Sequence, residues 1–194
     1  MRTITKERNT KETQITLTLK LDEAAEPAIE SPVPFFNHML TAMSFHGGFG
    51  LEIKADGDVE VDPHHLVEDT GLVLGDALSE AIASHGPMRR FGHAVIPMDE
   101  ALSEVTVDAS GRPFLVFKAD FPQMRAGDFD FCLVNEFLVA LSTRGGLTLH
   151  ADCRYGTNSH HMAEALFKAL GKALGQSFRP KTGGVASTKG TLYA

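Results

Sequence analysis

The chain is predicted to adopt an α+β fold, a two-layer sandwich made of two pseudo-symmetric duplicated halves, each a small sheet covered by two helices. Three observations lead there. Asp62-Pro63-His64-His65-Leu66-Val67-Glu68 returns 96 positions later as Asn158-Ser159-His160-His161-Met162-Ala163-Glu164. The stretch Asn37 to Leu51 matches Asn135 to Leu149 without a gap at an offset of 98, sharing Asn, Leu, Ala, Ser, Gly-Gly and Leu. Between these copies lie runs whose apolar residues alternate singly, the mark of half-buried strands. Two copies are too few to stack as a repeat array, so the pattern is an internal duplication.

In chain order, Thr13 to Leu21 alternates through Ile15, Leu17, Leu19 and Leu21 and reads as a strand. A helix follows from about Phe35 to His46, with Phe36, Met39, Leu40 and Met43 on one face and Gly47-Gly48 to end it. Leu51, Ile53 and Ala55 alternate, Asp56-Gly57-Asp58 looks like a turn, and Val59 and Val61 alternate again, which predicts a hairpin. The first motif helix runs from His65 to Ala83. In the second half, Leu102 to Asp108 and Pro113 to Asp120 read as a hairpin around Ser110-Gly111-Arg112. Phe129 to Arg144 reads as helical, Leu147 to Tyr155 as extended, and His160 to Leu174 as the second motif helix. The halves divide at about residue 88, the second ending near 180. Residues 181–194 have little to bury and are expected to order only around a ligand.

With 194 residues, 43% of them hydrophobic, the chain can build one core or two fused halves. A net charge of -7 and no basic run argue against nucleic acid or an anionic membrane as a partner. Cys132 and Cys153 stand alone, without a Cys-x-x-Cys, and read as buried thiols of a reducing compartment. The N-terminus lacks an apolar leader core and no long apolar run follows, so the expectation is a cytoplasmic protein.

The doubled motif carries the chemistry. Residues three and four apart share a helix face, so Glu68 lies beside His64 and His65, and Glu164 beside His160 and His161. Two imidazoles and a carboxylate suit a divalent ion, and these residues alone leave manganese, iron, cobalt and zinc open. Adjacent histidines on a helix diverge by about 100°, so which ligands share an ion is not readable from the sequence.

Both motif segments, together with Phe36-Asn37-His38-Met39-Leu40, Arg89-Arg90-Phe91-Gly92, Ser110-Gly111-Arg112-Pro113 and Ser187-Thr188-Lys189-Gly190, resemble the imidazoleglycerol-phosphate dehydratase family across essentially the whole chain. The resemblance implies a carbon–oxygen lyase, a hydro-lyase of histidine biosynthesis. It implies manganese, with two ions expected for each chain, and a hollow homo-oligomer of twenty-four subunits with ions at subunit contacts. The ligands it implies are His38, His64, His65 and Glu68 from the first half, and Glu136, His160, His161 and Glu164 from the second. At Glu136 the chain departs from family members that carry histidine there, exchanging a neutral nitrogen donor for an anionic oxygen.

The implied reaction dehydrates imidazole glycerol phosphate to imidazole acetol phosphate through an imidazolate and then a diazafulvene-type intermediate. The proton to be removed sits on a carbinol carbon with no neighbouring carbonyl, so the ring must serve as the electron reservoir. The resemblance points to Glu12 as a catalytic base, with His46 a further substrate-site residue, and to Arg90, Arg112, Ser187 and Lys189 as phosphate contacts. Two other classes use the same donors: a metal-dependent hydrolase and a non-catalytic metal-bridged shell.

Overall fold

The structure is a computed structural model that describes residues 2–84, 86–184, 186–188 and 190. Its elements run β1 (Thr3–Asn9), β2 (Thr13–Lys20), β3 (Ala28–Glu30), α1 (Pro34–Gly47), β4 (Gly50–Gly57) and α2 (His64–Ser84) in the first half. The second half holds β5 (Phe91–Met98), β6 (Ala101–Ala109), β7 (Phe114–Lys118), α3 (Leu133–Gly145), β10 (Leu147–Tyr155) and α4 (Ser159–Ser177), plus a small ribbon of β8 (Arg125–Ala126) and β9 (Phe129–Asp130). The two sheets have the same plan: β1-β2-β4-β3 and β5-β6-β10-β7, antiparallel except for a parallel last pair. Leu19 sits opposite Leu51 in one sheet, and Val107 opposite Leu149 in the other, so the duplication extends to strand register.

Each sheet is covered by its own two helices, and the halves meet helix to helix, α1 on α4 and α2 on α3. Glycine permits that contact. A Cβ on Gly171 would lie 1.9 Å from the Met43 carbonyl oxygen, and one on Gly75 would lie 2.8 Å from the Gly145 nitrogen. Phe36, Phe137 and Phe167 fill the shared core between the helices. The predicted Gly-Gly stops hold: Gly48 and Gly146 close α1 and α3 with φ of 70° and 61°, where a side chain is disfavoured.

Strand pairing departs from expectation. The predicted hairpin at Asp56-Gly57-Asp58 is absent: β4 continues to Gly57, pairs with β2 along its whole length, and Val59 and Val61 lie outside any strand. The strands around Ser110-Gly111-Arg112 form but do not pair with each other, because β10 inserts between β6 and β7. Phe129 and Asp130 belong to β9, and α3 begins only at Leu133. Strands β1 and β5 escape the apolar pattern for different reasons. β1 is an edge strand that buries little beyond Ile4, while β5 buries small Gly92 and Ala94 against α4 and turns Phe91 and Val95 outward. Both cysteines are free thiols, but Cys132 is exposed where burial was expected, since it stands ahead of α3 at the surface. Among the described residues no helix is long and apolar enough to cross a membrane.

Candidate metal centre and substrate groups

Both motif helices begin in the same way. The Asp62 carboxylate accepts the His64 N–H at 2.7 Å and the Asn158 side-chain oxygen accepts the His160 N–H at 2.9 Å, local caps that place both histidine pairs on the first turn. From there the first histidine of each pair turns toward its glutamate. His160 Nε2 lies 3.2 Å from Glu164 Oε2, and His64 Nε2 lies 3.6 Å from Glu68 Oε2.

Because α1 crosses α4, His38 joins the second motif: its Nε2 also lies 3.2 Å from Glu164 Oε2. One ligand atom each from His38, His160 and Glu164 falls within 4.8 Å of the others, the one such group of three among the described residues. Two imidazole nitrogens and a carboxylate oxygen around a common point fit a divalent ion in kind and spacing. Glu164 is buried, which pushes its carboxyl pKa up, yet the hydrogen bonds and charges of Lys168 and His38 outweigh burial and hold it below the usual range. Lys168, at 2.8 Å from Glu164 Oε1, was not singled out from the sequence; its signal was the i,i+4 spacing to Glu164.

The first-half counterparts come together less fully. Glu136 stands on α3, half-buried, with Asn135 Nδ2 at 3.3 Å from its Oε1, and it does not join His64 and Glu68 in a three-donor group. It faces the same region, since both Glu136 and Asp62 act on the Cys132 thiol.

The second histidines turn away from these groups. Ring centroids of His64 and His65 are 6.0 Å apart with planes at 90°, and those of His160 and His161 are 6.2 Å apart at 78°. His65 Nδ1 lies 3.0 Å from Asp58 Oδ2 and His161 Nδ1 lies 2.8 Å from Glu100 Oε2. Each carboxylate raises the pKa of its histidine. In return the His161 hydrogen bond, aided by backbone N–H groups, holds Glu100 down at about 2.

Glu12 is exposed at the β1–β2 turn, close enough to His65 to raise its pKa. The turn is pinned to α2, where the Thr13 hydroxyl donates to buried Asp69 at 2.5 Å and Arg8 reaches Asp69 at 2.8 Å. His46 lies eight residues, about two turns, along α1 from His38, within electrostatic reach of Glu164. Partial desolvation of its ring, then Lys168 and Lys172, lower its pKa.

The expected phosphate groups gather at a third place. Arg90 Nε and Nη2 donate to Asp108 at 2.6 and 3.0 Å, and its Nη1 reaches the Ala186 carbonyl at 2.8 Å. Arg112 shares Asp108 at 3.2 Å and remains open to solvent, with its side chain 68% exposed. Ser187 follows directly on Ala186, so the tail reaches the arginines; Lys189 lies outside the described residues. Arg90 has φ of 73° and donates its N–H to the Ser177 carbonyl at the far end of α4.

Two fused α+β halves, each opening a helix with the same imidazole–carboxylate turn, define a duplicated enzyme fold in which one candidate metal group is assembled among the described residues. The family model for imidazoleglycerol-phosphate dehydratase matches residues 31–174. Imidazoleglycerol-phosphate dehydratases of Pelobacter propionicus and Limosilactobacillus fermentum are each 48% identical, covering 98% and 99% of this chain and 99% and 100% of their own. The crystal structure of the Staphylococcus aureus dehydratase superposes with a TM-score of 0.84 at 40% identity, covering 92% of this chain and 99% of that one. That of Pyrococcus furiosus, in complex with (S)-C348, gives 0.83 at 36% identity, covering 96% and 99%. The chain belongs to the imidazoleglycerol-phosphate dehydratase family, and it is a hydro-lyase of histidine biosynthesis.

Proposed function

We propose that the chain carries out the metal-dependent dehydration of D-erythro-imidazole glycerol phosphate to imidazole acetol phosphate, by way of an imidazolate and then a diazafulvene-type intermediate. The convergence of His38, His160 and Glu164 supports this reading most directly, in a chain whose relatives are named for this reaction. Two manganese ions for each chain are proposed, one on that group and one on its counterpart of His64, Glu68 and Glu136, with His65 and His161 as the remaining ligands. A bound divalent ion would supply Lewis acidity that lowers the substrate ring N–H pKa, as it does for a bound water.

The protein's own groups would do the rest. Glu12, whose carboxylate accepts no hydrogen bond among the described residues, is free to take the carbinol proton, with the hydroxyl leaving as water from the adjacent carbon. His46, whose pKa partial desolvation and then Lys168 and Lys172 lower, would in its neutral form offer one donor and one acceptor to the substrate. Arg112 and Arg90, with Ser187 and Lys189, would grip the phosphate, Arg112 having the more open fork.

The distances favour assembly. Along α4 the seventeen residue steps from His160 to Ser177 span about 25 Å, and Arg90 is fastened at the far end. An imidazole ring, three carbons and one phosphate are much shorter, so arginines from a second copy would reach the His160 group better than this chain's own, which supports the proposed cytoplasmic particle of twenty-four subunits.

Turnover is the test. Purified manganese-loaded protein should convert imidazole glycerol phosphate to the ketone without releasing phosphate. Free phosphate would indicate the hydrolase, and neither product would leave a metal-bridged shell.

A further inference from the structure

We infer that Asp58 and Glu100 are positioning residues that hold His65 and His161 with Nδ1–H donated inward, so that each Nε2 is presented outward as a preset ligand for an ion held by another copy. The inference rests on the metal reading above. An ionised carboxylate can only accept, so a hydrogen bond from Nδ1 to Asp58 or Glu100 requires the proton on Nδ1, and in the neutral ring that leaves the Nε2 lone pair for an ion, with Asp99 Oδ2 3.8 Å from His161 Nε2 as its nearest carboxylate. Metal-binding histidines are commonly fixed in this manner by an acid on the other ring nitrogen.

The duplication gives the arrangement its weight. Strand register makes Glu100 the counterpart of Glu12, because Leu19 pairs with Leu51 where Val107 pairs with Leu149. Both acids precede the second strand of their sheet by one residue. In the second half that acid is committed: Glu100 Oε2 meets His161 Nδ1, while Oε1 accepts the N–H groups of Thr157 and Asn158 at 3.1 and 2.8 Å. In the first half the same task falls to Asp58, from the residue after β4, whose counterpart by offset is Gly156. Inheritance alone does not yield one contact from two unrelated positions. The use of Asp58 also leaves the Glu12 carboxylate uncommitted beside His65, whereas its register counterpart Glu100 is taken up by His161.

Asp58 gives the cleaner test, since its carboxylate bonds to His65 alone among the described residues, whereas Glu100 also caps the chain before α4. Manganese titration by calorimetry should show Asp58→Ala about 10- to 100-fold weaker at one class of ion, with Asp58→Asn, which keeps an acceptor oxygen, recovering most of that loss. The melting temperature of the metal-free protein should be unchanged in both. Glu100→Gln should likewise bind more tightly than Glu100→Ala. Wild-type protein that takes up no manganese would overturn the metal reading itself. Normal wild-type uptake with an Ala variant as tight as wild type, or an Asn variant as weak as Ala, would overturn the positioning roles alone.

Discussion

His38 and Glu164 stand 126 residues apart in sequence and 3.2 Å apart in space, each on a helix from a different half. Glu164 is also approached by His160 and Lys168, so removing its charge should dismantle the whole group. Elemental analysis of manganese-purified protein should give about two ions per chain for wild type and about one for Glu164→Gln or Glu68→Gln. A count of one that the Glu164 change does not alter would defeat the two-ion proposal.

Chelation should also split the proposed particle, because ligands contributed by separate copies, as proposed, would make ion affinity part of assembly free energy. Light scattering should report smaller units after verified metal removal, and an unchanged particle would count against ions at subunit contacts.

Glu136 tests how far the duplication reaches into chemistry. It lies on α3 as His38 lies on α1, but in this structure it sits apart from His64 and Glu68. Glu136→His should retain both ions and Glu136→Ala should weaken one, since only the first exchanges donor for donor. The histidine variant must be neutral to bind, so its affinity should fall more steeply as pH drops toward ~6.5. Equal stoichiometry and affinity in all three forms would make Glu136 a bystander.

Arg112 and Arg90 should separate binding from structure. Arg112→Ala removes an exposed fork and should raise KM with metal content unchanged. Arg90→Ala also strips Asp108 of two hydrogen bonds and should cost about 1–3 kcal/mol of stability. Burial pushes the Asp108 carboxyl up, but Arg90, with Ser110 and Arg112, outweighs it and the folded pKa lies below the ordinary value. Its stabilisation is therefore complete above the unfolded pKa of ~3.9 and lost as pH falls through the folded value. Acid melts should show a shallower loss below pH ~4 in Arg90→Ala than in wild type; parallel curves would sink the pairing as a source of stability.

Gly171→Ala would force a methyl into the Met43 carbonyl where α4 crosses α1. A loss of about 1–3 kcal/mol is expected, with weaker manganese binding because the same crossing brings His38 to Glu164. Thermal melting and metal titration together check this, and a variant normal in both would show that the crossing can open without cost.

Local chemistry made much of this legible in advance. Apolar spacing marked all four helices, the Gly-Gly pairs marked two of their ends, and the doubled histidine motif marked where two of them begin. Strand partners were not legible. Asp56-Gly57-Asp58 has a turn's composition, yet β2 supplies partners for β4 through Gly57, and β5 hides its pattern because α4 packs so closely that only Gly92 and Ala94 fit beneath it.

What the sequence by itself determined was the duplication, the helices and the residue types of the site, because helix period and helix stops are expressed within a few residues of one another and a repeat can be seen by aligning the chain with itself. Only the tertiary structure decided which donors meet. His38 joins His160 and Glu164, while His65 and His161 are claimed by Asp58 and Glu100. Those partners come from other elements, and the approach depends on glycines that let two helix backbones touch, a packing outcome that no local pattern records.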